Sequence, residues 1–363
     1  MHNRKAFFWR LGVILIIGSL LARWLYGHAF PVITSPYSLG LFIICPLCFS
    51  LAHNAIHAVP VWLAKVFAWI GGLWLVFTLY SFFGLIPFLV VTFFRPDLSP
   101  LAAEIIFGLV IIVILYGAWH ANHRIVRTIS LSSPKITTPC TIAFLTDIHL
   151  SPLLSHTYAK KLVHNVNRLH ADTVIFGGDL IDAHLDFVLR DGAYKELNTL
   201  HAPLGVWAVY GNHDYFDSSI TREQEALKSI HFLKNETVTL RGNISLTGLN
   251  DYLHEPTHAV LPTPAKTFSL LIDHEPLRII PASKAGFDVY LAGHTHGGQF
   301  FPVTEITKRL FTLSYGQRQF GNLTAIVSSG YGYWGMPMRT GPSPEIVVLK
   351  LLPEYPRLDK ISE

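Results

Sequence analysis

Four long apolar stretches occupy the first third of the chain, at residues 7–27, 39–58, 61–94 and 101–119. Each is long enough to cross a bilayer as a helix, because about 20 apolar residues span the hydrocarbon core. The third exceeds one untilted span, and Gly84 and Pro87 predict a kink or an interfacial segment near its end. The pattern predicts an all-α transmembrane region of about four helices over residues 1–121.

From residue 122 the pattern changes to short apolar strands that alternate with amphipathic helices. Strands are predicted at 124–131, 141–146, 173–176, 205–210, 245–249, 267–272, 287–292, 324–328 and 345–351, and helices at 156–170, 184–199 and 218–230. Such alternation is typical of an α/β fold, and the Gly- and Pro-rich second half suits a second, partly antiparallel sheet. We expect one domain over 122–355 and a tail over 356–363.

Charge indicates an orientation for the apolar region. Residues 1–119 contain six Lys and Arg against two Asp and Glu, so the chain's whole net charge of +4 lies there. Arg4, Lys5 and Arg10 precede the first stretch, and Arg124 and Arg127 follow the fourth. Cytoplasmic flanks are rich in Lys and Arg, so both ends of a four-span region are expected to face the cytoplasm. No basic surface for nucleic acid is indicated.

Polar residues follow the predicted strands where each strand ends. The motifs are Asp147-Ile148-His149, Gly178-Asp179-Leu180-Ile181-Asp182, Gly211-Asn212-His213-Asp214, Asp273-His274 and Gly293-His294-Thr295-His296. An isolated Asp or Asn in such a place can simply cap a helix or form a turn. Five loops in this order instead indicate one shared site, because α/β sheets place ligands beyond the carboxyl ends of their strands.

Together the five loops offer seven candidate metal ligands: Asp147, His149, Asp179, Asn212, His274, His294 and His296. Seven ligands are too many for one ion but suit two ions that share a carboxylate. Two divalent ions about 3.5–4 Å apart form the usual clamp for in-line displacement at phosphorus. Nitrogen and oxygen ligands without thiolate favour Mn, with Fe, Zn or Co as alternatives. The three cysteines offer neither a disulfide framework nor a thiolate site.

The ordered motifs resemble the calcineurin-like metallophosphoesterase superfamily, and in particular its bacterial membrane-anchored branch of YkuE- and YaeI-like proteins. The resemblance covers about residues 122–352 and implies an αββα sandwich with a dinuclear centre. It implies that Asp147, His149 and His296 hold the first metal and that Asp179 bridges. It assigns the second metal to three further ligands, Asn212, His274 and His294.

The resemblance also implies roles beside the metals. His213 is expected to face the scissile phosphate as a general acid or charge stabiliser, with Asp214 orienting it, as a carboxylate beside an imidazole commonly does. Asp182 is expected only to fix its loop. Arg339 is a candidate contact for a substrate phosphate. The glycine-rich aromatic loop 330–337 is open to two interpretations, an apolar substrate entrance or packing.

These expectations describe a hydrolase of the bacterial inner membrane, multi-pass, with a cytoplasmic catalytic domain. It would cleave a phosphodiester or pyrophosphate bond by a metal-activated hydroxide. The bilayer anchor favours a lipid-linked substrate, and some relatives are similar to enzymes of lipid A synthesis that cleave UDP-2,3-diacylglucosamine. The alternative is a non-catalytic metal-binding scaffold or membrane sensor that keeps the fold. A metallo-β-lactamase is excluded, because that class needs His-x-His-x-Asp-His in one stretch and here Gly297 and Gly298 follow His296.

Overall fold

The described residues of the computed structural model, 2–182, 184–216, 220–255 and 266–354, fall into two compact units. The helical unit comprises the chain up to Asn122 together with Ser151–Leu153 and Trp334–Thr340. The sandwich unit comprises the other described residues. The predicted tail, 356–363, lies outside the described residues.

Four long helices form most of the helical unit, and they confirm the predicted all-α region. They are α1 (His2–Gly27), α2 (Pro36–Asn54), α3 (Val61–Phe94) and α4 (Ser99–Asn122). All four are long and apolar enough to cross a membrane, with mean hydropathy between 1.5 and 2.6 over their most apolar windows. Helix α3 continues through Gly84 and Pro87 to Phe94, so no separate interfacial segment forms there.

Small residues let these helices approach closely. Gly71 lies against the backbone of Phe49 in α2, and Gly84 lies against Ile106 in α4. Small residues at helix contacts are typical of membrane bundles, where close packing replaces the hydrophobic effect. Two hydrogen bonds also join neighbouring helices, from Trp74 Nε1 to Ser19 Oγ at 2.8 Å and between Tyr26 Oη and Ser81 Oγ at 2.9 Å.

The outer surface of the bundle is apolar and exposed. Ile14 is 63% exposed, Ile86 68% and Ile112 61%. Three tryptophans near the start of α1, the start of α3 and the end of α4 are also exposed: Trp9, Trp62 and Trp119. Tryptophan at helix ends is typical of the headgroup region of a bilayer. An apolar surface of this extent requires a lipid surround, so the chain is a membrane protein.

The segment Trp334–Thr340 packs within the helical unit. Arg339 donates its backbone N–H to the Gly117 carbonyl at 2.9 Å, and a Cβ on Gly72 would touch the Pro337 ring. The second half of the aromatic loop 330–337 is therefore packing against apolar helices, which was one of its two interpretations.

The sandwich unit contains two six-stranded sheets. The first has the order β1-β12-β2-β3-β4-β5. Its strands are β1 (Ile125–Ser133), β2 (Cys140–Leu145), β3 (Thr173–Phe176), β4 (Val206–Ala208), β5 (His231–Phe232) and β12 (Glu345–Pro353). Strands β2 to β5 run parallel, whereas β12 is antiparallel to β2 and parallel to β1.

The second sheet has the order β10-β11-β9-β8-β7-β6. Its strands are β6 (Glu236–Thr239), β7 (Ile244–Gly248), β8 (Phe268–Ile272), β9 (Val289–Ala292), β10 (Gly316–Phe320) and β11 (Leu323–Val327). The four central strands are parallel and the two edge strands are antiparallel to their neighbours. The predicted second, partly antiparallel sheet is therefore present.

The core lies between the two sheets. Phe144 and Ile175 of the first sheet pack with Leu270, Leu291 and Ile326 of the second, and all five are fully buried. Successive side chains of a strand point to opposite faces, so alternate residues of β2 and β8 fill this layer.

Helices cover the outer faces of the sheets. They are α5 (His156–Asn167), α6 (Leu185–Asp191), α7 (Ala193–Leu197), α8 (Ile220–Ala226), α9 (Ile279–Ala285) and α10 (Val303–Leu310). In α9, Ile279 and Ala282 pack on Tyr290 and Ala325 of the second sheet. The predicted helix 184–199 is divided by Gly192, which caps α6 with φ +83°. Helices outside two packed sheets are the αββα arrangement that was expected.

Shortening a core side chain is expected to destabilise the sandwich unit. Leu270 is fully buried, so Leu270→Ala should lower the free energy of unfolding by about 2–5 kcal/mol. Ile280→Ala is the control, because Ile280 is 43% exposed and should cost less than about 1 kcal/mol. Pulse proteolysis of the full chain in urea measures both. Equal costs for the two variants would contradict the assigned core.

Candidate metal centre

The candidate centre lies where parallel strands of both sheets end. Strands β2, β3 and β4 are adjacent and parallel in the first sheet, and β8 and β9 in the second. Their carboxyl ends therefore meet at one edge of the sandwich, which is where α/β proteins bind ligands. Each of the five strands is followed within three residues by one of the sequence motifs.

The structure brings Asp147, His149 and His296 together. Nε2 of His149 lies 3.0 Å from Nε2 of His296, and Asp147 Oδ1 lies 3.9 Å and 3.5 Å from these two nitrogens. All three side chains are at least 90% buried. Two imidazoles and a carboxylate converge from two different sheets.

A second group contains Asn212, His274 and His294. Asn212 Oδ1 lies 3.0 Å from Nδ1 of His294, and the rings of His274 and His294 are 5.2 Å apart. His274 is fully buried and Asn212 is 9% exposed. This group contains the three residues that the resemblance places together.

Asp179 lies between the two groups. Its Oδ2 atom is 3.8 Å from His149 Nε2 in the first group and 3.2 Å from His274 Nε2 in the second. Its Oδ1 atom accepts the backbone N–H of His213 at 2.8 Å, which fixes the carboxylate. One carboxylate oxygen therefore faces both sets of imidazoles.

The spacing of these atoms fits bound divalent metal. Ligands that bind one ion at about 2.1 Å lie roughly 3–3.5 Å from one another by simple geometry. His274 donates from Nδ1 to the Gly177 carbonyl at 2.8 Å, so its Nε2 faces the Asp179 carboxylate. Burial opposes protonation of His274, but this carboxylate raises the pKa of His274 well above its ordinary value, so without metal a proton on Nε2 joins the two groups. A bound divalent ion would take the place of that proton.

Electrostatics keep several of these groups ready to bind metal. Burial and the nearby His274 ring lower the pKa of His294 to about 4, so His294 is neutral at neutral pH. Burial opposes ionisation of Asp179, but the His274 and His213 imidazoles outweigh it and hold the pKa of that carboxyl well below its ordinary value. A neutral imidazole and an ionised carboxylate are the forms that coordinate metal.

The backbone is strained where the candidate ligands lie. Among the described residues, eight other than glycine have positive φ, and five of them are candidate ligands: Asp147, His149, Asp179, His294 and His296. Such conformations cost about 1–3 kcal/mol each and persist only where the surrounding structure enforces them. Their concentration at one edge of the sandwich marks it as a functional site.

His213 lies beside the first group, and its ring contacts Asp182. His213 Nδ1 is 2.7 Å from the Asp182 carbonyl and 2.9 Å from Asp182 Oδ1. Burial opposes protonation of the ring, but the Asp179 and Asp182 carboxylates raise the pKa of His213 to about 9. The contact identifies Asp182 as the residue that orients this ring.

Asp214, which was expected to orient this ring, contacts backbone groups. Asp214 accepts backbone N–H groups from Asp179 at 3.0 Å, Ile181 at 3.1 Å and Gly211 at 2.8 Å. These bonds make it a brace between the loops after β3 and β4. The signal for Asp182 was present in its Gly-Asp-x-x-Asp motif, but sequence spacing could not decide which of the two carboxylates reaches the ring.

Further contacts that the sequence did not indicate support Asp147. Thr146 Oγ1 donates to Asp147 Oδ2 at 2.8 Å, and Gly332 donates its backbone N–H to the Asp147 carbonyl at 2.8 Å. Arg339, the candidate phosphate contact, is fully buried and belongs to the helical unit.

Adding a methyl group at Gly293 should displace Asp147. A Cβ there would overlap with Asp147 Oδ2 and Thr146 Oγ1, so Gly293→Ala is expected to weaken metal binding by at least about tenfold. Gly108→Ala in α4 is the control, because a Cβ at Gly108 has no neighbour within 4 Å. Metal content after dialysis of both full-length variants is the measurement. Equal retention of metal would show that Asp147 is not held as described.

Comparison with known proteins agrees with this geometry. Residues 140–298 match the model of a family described as calcineurin-like phosphoesterase. An uncharacterized metallophosphoesterase of Helicobacter pylori is 34% identical over 225 residues, which are 59% of this chain and 60% of that protein. The transmembrane protein with metallophosphoesterase domain of Bos taurus is 34% identical over 234 residues, which are 58% of this chain and 52% of that protein.

A third relative, the uncharacterized metallophosphoesterase YkuE of Bacillus subtilis, is 27% identical over 227 residues, which are 58% of this chain and 78% of that protein. The chain spans about 60% of the length of the Helicobacter pylori relative. In each comparison with a relative the match leaves part of both proteins unaligned. The family match itself begins at β2 and ends just after His296, so it includes all five strand ends of the candidate centre, and this segment is similar to the calcineurin-like phosphoesterases.

Proposed function

We propose that this protein is a membrane-anchored phosphoesterase that uses two divalent metal ions. The observation that carries the proposal is the position of Asp179, whose Oδ2 faces His149 on one side and His274 on the other. A single shared carboxylate between two ligand groups is the arrangement that a dinuclear centre needs. In this proposal residues 1–121 anchor the protein and 122–355 form the catalytic domain.

The distances between their side-chain atoms divide the proposed ligands into two groups. Asp147, His149 and His296 would hold the first ion, and Asn212, His274 and His294 the second, with Asp179 shared. Two bound ions would supply an activated water for attack on phosphorus and neutralise charge on the phosphoryl oxygens. The balance of imidazole and carboxylate suits Mn, and Fe, Zn or Co are also compatible.

His213 is proposed to act on the leaving group. Its contact with Asp182 fixes the ring, and the two carboxylates nearby favour its protonated form. A protonated imidazole can donate to the departing oxygen or stabilise negative charge on it. Asp214 would act indirectly, by keeping the loops after β3 and β4 in register. Arg339 stays a prediction as a phosphate contact.

The membrane helices support a lipid-linked substrate. An enzyme fixed to the bilayer meets lipids at a high effective concentration. We propose a phosphodiester or pyrophosphate bond of such a lipid, with UDP-2,3-diacylglucosamine as the specific candidate. We further propose that the protein lies in a bacterial inner membrane with the catalytic domain in the cytoplasm. Arg23 and Arg95, which this orientation places on the outer side, run against the charge bias; there Arg95 pairs with Asp97 at 2.8 Å and Arg23 donates to the Thr34 carbonyl at 2.7 Å.

Removing the charge of the shared carboxylate should abolish dinuclear binding. Asp179→Asn is expected to reduce the metal content from two ions per chain to one or fewer, because the amide cannot bridge as a carboxylate does. Elemental analysis of the purified full chain measures this. Asp172→Asn is the matched control, since Asp172 pairs with Arg241 on the surface of the same unit. Two ions retained by Asp179→Asn would refute the shared ligand.

Removing the His213 ring should separate catalysis from metal binding. His213→Ala is expected to lower kcat by about 10²–10⁴-fold, the usual contribution of a general acid, with metal content unchanged. Hydrolysis of an aryl phosphodiester with Mn²⁺ is the measurement, and EDTA should abolish it in the wild type. Full activity in this variant would remove its assigned role. Metal binding without hydrolysis in the wild type would favour the non-catalytic scaffold.

Phosphorus NMR can test the specific substrate. Full-length protein with Mn²⁺ and UDP-2,3-diacylglucosamine in detergent is expected to release UMP and a lipid monophosphate. Hydrolysis of an aryl phosphodiester by the same preparation is the activity control. An unchanged NMR spectrum beside an active control would discard this substrate and keep the phosphoesterase.

A further inference from the structure

The sandwich unit has a polar cavity that none of the candidate metal ligands lines. One of its lining residues, Arg124, closely follows α4 in the chain. The volume of the cavity is about 340 Å³. Arg124, Arg168, Asn165 and Tyr331 supply its polar lining, and Ile346 is among its apolar residues. No carboxylate is among the described residues that line it, so two cationic side chains dominate its charge.

Arg124 is held in a fixed position. Its guanidinium lies over the ring of Tyr158 at 4.9 Å and over the ring of Tyr331 at 5.0 Å. Tyr331 is 1% exposed, and its hydroxyl accepts a hydrogen bond from Asn165 Nδ2 at 3.1 Å. Stacking on aromatic faces restricts the guanidinium, so less entropy is lost when it binds an anion.

Arg168 adds a second positive charge from the end of α5. It follows the last residue of that helix and is exposed at the cavity rim. A stacked guanidinium, an exposed guanidinium and an amide donor together match the oxygens of a phosphate group. Neutral apolar residues beside them suit the glycerol and first methylene groups of a lipid.

The position of the cavity along the chain identifies the source of that phosphate. Arg124 follows the last residue of α4, Asn122, by two positions, so their Cα atoms are within about 7 Å of each other. Tyr116 and Trp119 in the last turns of α4 are 48% and 60% exposed. Exposed aromatic residues at the end of a spanning helix lie at headgroup level, so Arg124 lies there too.

We propose that this cavity binds the phosphate headgroup of an anionic membrane phospholipid. Basic pockets immediately beside a membrane-spanning helix are suited to such headgroups. A zwitterionic headgroup fits less well, because its cationic end would meet two arginines. The proposal concerns binding alone and does not depend on the proposed hydrolysis.

Native mass spectrometry of the full chain in detergent tests the site, with phosphatidylglycerol as the probe. Arg168→Gln and Arg124→Gln are each expected to weaken retention of phosphatidylglycerol by about tenfold. Arg318→Gln is the matched control, since Arg318 is exposed on edge strand β10 and its loss removes the same charge. Phosphatidylcholine should bind the wild type at least about tenfold more weakly than phosphatidylglycerol.

Three other outcomes would overturn the proposal that the cavity binds an anionic phospholipid. Equal retention of phosphatidylglycerol by the two pocket variants and by Arg318→Gln would show that the arginines do not bind it. Equal binding of phosphatidylcholine would remove the preference for anionic lipid. Displacement of the lipid by excess inorganic phosphate would assign the pocket to free phosphate. Because Arg168 is exposed, its variant stays informative even if Arg124→Gln fails to fold.

Discussion

The His274 imidazole faces the Asp179 carboxylate, and the geometry of the candidate centre depends on this contact. Both groups are buried, and the carbonyl of Gly177 takes the Nδ1 proton of His274. Nε2 of His274 and the carboxylate lie 3.2 Å apart in a region of low dielectric. A buried carboxylate is expensive without positive charge, and the contact raises the pKa of His274 well above its ordinary value although burial opposes it, so a proton on Nε2 pairs the two groups in the absence of metal. Divalent cations would replace this proton, so metal binding would release it and would stabilise the fold around the site.

The rigid sandwich makes the strained loops possible. Five candidate ligands have left-handed backbone, and strands filled with buried residues such as Leu270 and Leu291 fix the point at which each loop begins. Glycine lets the backbone approach a ligand closely: at Gly178, with φ +94°, a Cβ would overlap with the His274 ring. Packing of the sheets therefore offsets the conformational cost of the loops, and the geometry of the ligands follows from it.

The sequence predicted the strand ends well because each combines a short apolar run with a polar motif, and these are local signals. The alternation of strands and helices predicted an α/β fold, and the αββα arrangement was implied by the resemblance of the motifs. The edge strands β5, β6 and β10 were missed, because β5 has only two residues and β6 and β10 are largely polar and exposed, so no apolar run marks them. The sequence also could not decide whether Asp182 or Asp214 contacts the His213 ring. Two carboxylates that follow neighbouring strands are equivalent in sequence, and only the turn of each loop decides which one meets the ring.

The segment after β11 belongs first to the sandwich unit, then to the helical unit and then to the sandwich unit again. Tyr331 and Gly332 donate backbone N–H groups to Thr146 and Asp147, beside a candidate ligand. Two residues later the chain enters the helical unit, and at Gly341 it returns to donate to the Gln299 carbonyl at 2.9 Å. The two ends of the segment are therefore held by backbone hydrogen bonds beside the loops that carry Asp147 and His296, and these bonds help to fix both loops.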